Sequence, residues 1–113
     1  MKNLRDKVVV ITGAASGIGR ALALDLAGKG ALLALSDVDG AGLAGTVELA
    51  RAAGARKVRS DRLDVADRAA FAAYADAVAD HFGRVNVVVN NAGVALAGDL
   101  LDLEYDDIDW IIG

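Results

Sequence analysis

The sequence contains no cysteine and only one histidine in 113 residues. Without cysteine it can form no disulfide, no thiolate metal site and no cysteine nucleophile. A single histidine gives little support to a histidine-rich metal centre or to a serine–histidine–aspartate triad within the chain. Basic residues are also in deficit, with 12 lysines and arginines against 16 aspartates and glutamates. A general nucleic-acid or anionic-membrane surface is therefore not expected.

Long apolar runs are missing as well. The first run, Val8–Ile11, ends after four residues, whereas the apolar core of a signal peptide needs about 7–15. The segment closest to a membrane span, Ala21–Leu35, contains Asp25 and Lys29. We therefore expect a cytoplasmic protein with no membrane contact. Hydrophobic residues still make up 55% of the chain, which favours a packed core over disorder, and the length allows one small domain.

Short strand-like runs alternate with helical spacing along the chain. The predicted strands are residues 8–11, 31–35, 57–63 and 85–89. Between them, apolar residues recur at every third or fourth position, which predicts helices that end at Gly28–Gly30, near Gly54 and at Gly83. Asp67 is a candidate cap of the third helix, and a fourth helical segment begins near Glu104. This alternation predicts a doubly wound α/β fold with strand order 3-2-1-4, which binds ligands at the carboxyl ends of its strands.

A glycine-rich turn follows the first strand directly. Gly13, Gly17 and Gly19 stand where the strand gives way to the helix. Without Cβ atoms, the backbone can turn tightly and approach a diphosphate, while the N-terminus of the helix offers unpaired N–H groups to an anion. Ser16 can add a hydroxyl donor, and Ile18 opens the apolar face of the helix. Glycine spacing alone would fit an ordinary turn equally well, but the strand before it and an acidic residue downstream favour a dinucleotide site.

That acidic residue is Asp37, 18 positions after Gly19 at the end of the predicted second strand. A carboxylate there accepts hydrogen bonds from the ribose of adenosine and repels a 2′-phosphate. No lysine or arginine stands in the glycine turn or directly after Asp37. These features predict NAD rather than NADP as cofactor. The alternative is that Asp37, with Asp39, only caps the second helix.

Two motifs together resemble the short-chain dehydrogenase/reductase family of NAD(P)-dependent oxidoreductases: Thr12-Gly-x-x-x-Gly-Ile-Gly19 and Asn90-Asn-Ala-Gly93. The likeness runs from Lys7 to Gly113 and implies a Rossmann-type fold. It also implies adenine contacts at Asp64 and Val65, a sheet-holding role for Asn90 near the adenosine ribose, and close passage of the cofactor by Ala92 and Gly93. The alternative is that Asp64 is an ordinary turn carboxylate.

The catalytic residues of this family cannot be placed in the chain. The family uses a serine, a Tyr-x-x-x-Lys pair and an asparagine, but Tyr74 is followed by Val78 and Tyr105 by Asp109. The resemblance therefore implies that residues 1–113 supply the cofactor-binding half of an oxidoreductase that moves hydride between nicotinamide and an alcohol or carbonyl substrate. We expect no turnover from these residues alone. Family members commonly form dimers or tetramers, so a homo-oligomer is expected.

Two rival functions are compatible with the glycine-rich turn and the acid that follows it. A nucleotide-sensing protein without catalysis would share the same fold, and a methyltransferase that uses S-adenosylmethionine also places a glycine-rich turn and an acid after its first two strands.

The six carboxylates of residues 99–109 do not match an EF-hand, since Asp107 stands where that loop needs glycine and Gly113 where it needs glutamate. His81, at a predicted helix end, has the position of a structural residue.

Overall fold

The computed structural model describes residues 4–91 of the chain. In these residues a parallel sheet alternates with helices. The elements are β1 (Val8–Thr12), α1 (Gly17–Gly28), β2 (Leu32–Asp37), α2 (Gly40–Ala52), β3 (Val58–Arg62), α3 (Arg68–Phe82) and β4 (Val87–Asn90). The strand order is β3-β2-β1-β4, and all three pairings are parallel. The predicted doubly wound fold and its strand order are confirmed; the helical segment predicted from Glu104 lies outside the described residues.

The central strand β1 is buried along its whole length, as its continuous apolar sequence predicts for a strand covered on both faces. Its last residue, Thr12, pairs with Ser36 of β2 on one side and with Asn90 of β4 on the other. The carboxyl ends of these three strands therefore meet at one edge of the sheet. The polar residues that the sequence places after apolar runs are gathered at this edge.

Two predicted strand boundaries differ from the structure by two residues, and the others agree to within one residue. Strand β2 continues to Asp37, two residues beyond the predicted end, because Ser36 and Asp37 remain paired with β3. Strand β4 begins at Val87 rather than Val85, since the Asn86 side chain accepts the backbone N–H of Val8 at 2.9 Å and the strand pairing starts only after it. The longer β2 makes Asp37 the last residue of a strand, so pairing in the sheet fixes its backbone.

Each face of the sheet has its own apolar core. Helices α1 and α2 cover one face, and α3 packs on the other against Val8, Val10 and Ala34. Tyr74 and Phe82 of α3 are buried, whereas Phe71 is half-buried and borders an open apolar cavity of about 240 Å³ beside β4. Among the described helices, none has the length and apolar character needed to cross a membrane.

Tyr74 gives the fold a predictable response to alkaline pH. Burial raises the pKa of Tyr74 to about 12, although the nearby Ser36 hydroxyl partly opposes this. Neither hydroxyl has a partner with normal hydrogen-bond geometry among residues 4–91. In the unfolded chain the tyrosine ionises near pH 10, so the unfolded state releases its proton first. The associated stability is complete below pH 10 and falls by roughly 2 kcal/mol as pH rises to 12.

The variant Tyr74→Phe isolates this contribution from that of the other groups in the chain. Chemical denaturation of both proteins between pH 8 and 12 should show a smaller loss of unfolding free energy for Tyr74→Phe. At pH 8 the variant should be at least as stable as the original, because it removes a buried hydroxyl without a regular partner. Parallel curves for the two proteins would contradict the prediction.

Candidate functional site

The glycine turn between β1 and α1 has the backbone geometry that its sequence predicts. Gly13 and Gly17 have φ angles of +67° and +57°, in the left-handed region that favours glycine. Gly19 is needed for a different reason: a Cβ placed on it would lie 2.1 Å from the carbonyl oxygen of Gly13. The first turn of α1 therefore packs directly on the backbone of the preceding loop. Only glycine permits this approach.

Helix α1 begins without the side-chain cap that the other two helices have. Asp39 and Asp67 accept hydrogen bonds from backbone N–H groups at the starts of α2 and α3, each at 3.0 Å. Ser16, which precedes α1, is exposed and makes no such bond. The first N–H groups of a helix have no acceptor within it, and no described side chain supplies one for Gly17, Ile18 or Gly19. This end of α1 can accept an anion.

Asp37 lies beside this open turn. Its Oδ2 accepts the backbone N–H of Ala15 at 2.9 Å, and its Oδ1 accepts that of Asp39 at 3.0 Å. Asp39, not Asp37, is the cap of α2, so the capping alternative applies to Asp39 alone. Each carboxylate oxygen can accept more than one hydrogen bond. Asp37 is half-buried, so it is both fixed in position and able to bind hydroxyl groups.

A buried network, which the sequence analysis missed, holds the turn against α2. The hydroxyl of Thr46 donates to the carbonyl of Ala14 at 2.7 Å and accepts from Nε of Arg20 at 2.9 Å. Nη2 of Arg20 donates to the carbonyl of Gly42, also at 2.9 Å. Thr46 is fully buried. One available signal was a threonine within the otherwise apolar face of α2, but its partners are 26 and 32 residues away in sequence.

The two asparagines at the end of β4, Asn90 and Asn91, tie that strand to β1. The hydroxyl of Thr12 donates to Oδ1 of Asn90 at 2.8 Å and accepts the backbone N–H of Asn91 at 3.0 Å. Nδ2 of Asn91 donates to the carbonyl of Gly13 at 3.3 Å. Both amides therefore satisfy polar groups at the end of the central strand, and they bring β4 next to the glycine turn. Ala92 and Gly93, also predicted near the cofactor, lie outside the described residues.

Asp64 and Val65 lie farther along the same edge of the sheet, after β3. Oδ1 of Asp64 accepts the backbone N–H of Ala66 at 2.9 Å, an Asx turn. The side chain is exposed, while Val65 is half-buried against the core under α3. The turn-forming alternative is thus realised for Asp64. A second role at the adenine is compatible with it, because one carboxylate oxygen has no described partner.

The structure adds a cation that the sequence analysis did not place near Asp37. Arg62, the last residue of β3, pairs with Asp37 in the parallel register. Its Nε donates to the carbonyl of Val38 at 3.0 Å. The expectation of no nearby cation considered only neighbours in sequence, whereas strand pairing brings residue 62 beside residue 37.

These features suit a diphosphate joined to a sugar. The unpaired N–H groups of the turn fit phosphate oxygens, and the carboxylate of Asp37 fits vicinal hydroxyls. Among residues 4–91, no group of three histidine, aspartate or glutamate side chains could hold a metal ion. A Tyr-x-x-x-Lys pair is also absent from this part of the chain. The described residues of the site thus offer donors and acceptors suited to binding a dinucleotide.

Known proteins with similar sequences agree with this geometry. The model of the short chain dehydrogenase family matches residues 7–113. SadH of Mycobacterium tuberculosis (strain ATCC 25618 / H37Rv) is 61% identical over 112 residues, which are 99% of this chain and 40% of SadH. D-threitol dehydrogenase of Mycolicibacterium smegmatis is 45% identical over 107 residues, 94% of this chain and 40% of that enzyme. The chain spans about 40% of the length of these curated relatives.

Solved structures of dehydrogenases also match the fold of this chain. A short-chain dehydrogenase/reductase from Burkholderia phymatum in complex with NAD matches with a TM-score of 0.72 and 48% identity, over 78% of this chain and 31% of the other. NAD⁺-bound xylitol dehydrogenase matches with a TM-score of 0.78 and 35% identity, over 82% and 35%. Since the family model extends over nearly the whole sequence, this chain belongs to the short-chain dehydrogenase family.

Proposed function

We propose that the chain binds NAD, with the diphosphate over the turn of residues 13–19 and the adenosine ribose at Asp37. The observation that carries this proposal is the uncapped start of α1, which leaves N–H groups open directly beside a fixed carboxylate. Of the three helices in residues 4–91, α2 and α3 are capped by aspartates, so the open start distinguishes α1 from both. Asn90, Asp64, Val65, Ala92 and Gly93 complete the proposed cofactor site.

NAD is preferred over NADP in this proposal because of Asp37. A 2′-phosphate on the ribose would stand against a carboxylate that two backbone N–H groups hold in place. Like charges brought together at a binding site cost several kcal/mol. NAD offers two hydroxyls to the same carboxylate instead.

In the whole protein, the bound cofactor would exchange hydride with an alcohol or carbonyl substrate. This chain's residues would bind the diphosphate and orient the adenosine end, while the acid–base residues of the reaction lie outside it. Residues 1–113 therefore make up the cofactor-binding portion and are expected to show no turnover alone. We also propose a homo-oligomer with a small-molecule substrate.

Nicotinamide fluorescence provides the direct test. Titration of NADH into the whole protein should give a saturable rise in emission, and ADP-ribose should reverse it by competing for the turn and for Asp37. S-adenosylmethionine should not reverse this emission. If NADH did not bind and S-adenosylmethionine bound in a separate calorimetric titration, the methyltransferase alternative would replace the proposal. Turnover of NAD with alcohols then separates an oxidoreductase from a nucleotide sensor.

The variant Asp37→Ala should weaken NADH binding about tenfold or more, because a hydrogen bond to a charged acceptor is worth about 1.5–3 kcal/mol. Asp25→Ala is a suitable control: it removes an exposed carboxylate of α1 that pairs with Lys29 one helical turn away, and it should leave the dissociation constant within twofold. Equal effects of the two variants would mean that Asp37 acts only through net charge.

A further inference from the structure

One cation at the adenosine end has no part in the proposed binding of NAD. Arg62 ends β3 opposite Asp37, and the two side chains lie on the same face of the sheet, because directly paired residues of parallel strands point the same way. The guanidinium of Arg62 is at the surface. Its Nε donates to the carbonyl of Val38 at 3.0 Å, which fixes the stem of the side chain next to the end of β2.

Arg62 and Asp37 do not neutralise each other. No ion pair within 4.0 Å joins them, whereas described ion pairs do form between Arg56 and Asp6 and between Arg59 and Asp61. The carboxylate of Asp37 instead points to the backbone N–H groups of Ala15 and Asp39. The terminal N–H groups of Arg62 have no acceptor among the described residues. They remain available to a ligand that carries acceptor oxygens.

We infer that Arg62 is a specificity-determining residue which can bind a 2′-phosphate on the adenosine ribose. Asp37 then keeps NADP out of a site which already contains a cation able to hold it. Guanidinium is the side chain best suited to phosphate, since it presents several donors in a plane. This inference rests on the proposed function, because it needs the adenosine ribose beside Asp37.

A purely structural role for Arg62 makes a different prediction. If the side chain serves only to hold the Val38 carbonyl, its loss would disturb the adenosine end for NADH and NADPH alike. A role in binding the 2′-phosphate affects NADPH selectively, and it becomes visible once the opposing carboxylate is gone. The ratio of the two affinities therefore separates the two roles.

The test compares the whole protein with Asp37→Ser, Arg62→Gln and the double variant, using titrations of NADH and NADPH followed by nicotinamide fluorescence. Asp37→Ser should tighten NADPH binding at least tenfold relative to NADH. Adding Arg62→Gln to Asp37→Ser should weaken NADPH binding at least fivefold more than it weakens NADH binding. In the Asp37→Ser background, Arg62→Lys should bind NADPH more tightly than Arg62→Gln does. This difference should shrink with added salt, because the contact is between charges.

Arg51→Gln is the matched control, because Arg51 is an exposed arginine in the last turn of α2, at the opposite end of that helix from the site. It removes the same charge and should not alter the ratio of affinities. Equal losses for both cofactors in the double variant, with circular dichroism showing an intact fold, would overturn the inference and leave the proposed function standing. Failure of the original protein to bind NADH would overturn both.

Discussion

Gly19→Ala is expected to abolish measurable NADH binding and to lower the free energy of unfolding by about 3 kcal/mol, the upper part of the range for inserting one methyl group into a packed site. The added Cβ would lie 2.1 Å from the carbonyl oxygen of Gly13 and 2.9 Å from Nδ2 of Asn91. Both neighbours are held by hydrogen bonds or by the strand, so neither can withdraw cheaply. The turn must therefore shift, and its N–H groups would no longer point together toward the proposed position of the diphosphate.

Gly28→Ala is the control for this change. Gly28 is the last residue of the same helix, and the nearest atom to an added Cβ is the carbonyl oxygen of Ala53, at 3.9 Å. Alanine in a helix is favoured over glycine by up to about 1 kcal/mol, so Gly28→Ala should be neutral or stabilising and should bind NADH normally. Urea denaturation and NADH titration of both variants check the contrast. If Gly19→Ala bound NADH normally, the described turn would not be the cofactor site.

Thr46→Val should produce the second large effect, a loss of about 2–3 kcal/mol in the free energy of unfolding together with weaker NADH binding. Valine has nearly the same shape as threonine but cannot hydrogen-bond. It leaves the carbonyl of Ala14 and Nε of Arg20 without their buried partner, and unsatisfied buried groups cost more than a simple lost contact. Because Ala14 immediately precedes the residue whose N–H binds Asp37, the damage extends to the ribose end.

Thr46→Ser retains the hydroxyl and loses only a methyl group, so it should keep most of the stability and most of the NADH affinity. The informative ligand is reduced nicotinamide mononucleotide, which lacks the adenosine half. Its binding should change little in Thr46→Val, whereas ADP-ribose and NADH should both bind more weakly. Equal weakening of all three ligands would show that Thr46 supports the fold in general and does not position the adenosine end.

The strand order could be predicted from the sequence because alternating strands and helices with short connections allow few arrangements. The glycine turn was predictable for a similar reason: left-handed backbone and close approach both demand glycine, so Gly13, Gly17 and Gly19 signal their geometry directly. The acid at position 37 was found by its distance in sequence from that turn. For the turn and for this acid, the information lies within one βαβ unit.

The network around Thr46 and the position of Arg62 were not predictable in this way. Thr46 binds Ala14 across 32 residues, and Arg62 reaches Val38 across 24, through contacts that form only when strands pair and helices pack. The strand boundaries shifted for the same reason, since β2 continues as long as β3 offers it partners. Local sequence patterns describe where a chain turns, whereas side-chain partners across the sheet depend on the assembled fold.

The position of β1 between β2 and β4 has a consequence for biosynthesis. Its pairing with β2 is complete once Asp37 has left the ribosome, but its other edge pairs with residues 87–90, about 50 residues later. At translation rates of about 5–20 residues per second, the most apolar strand of the nascent chain waits several seconds with one edge open. Chaperone dependence during synthesis, and aggregation of nascent chains stalled before Val87, follow from that delay.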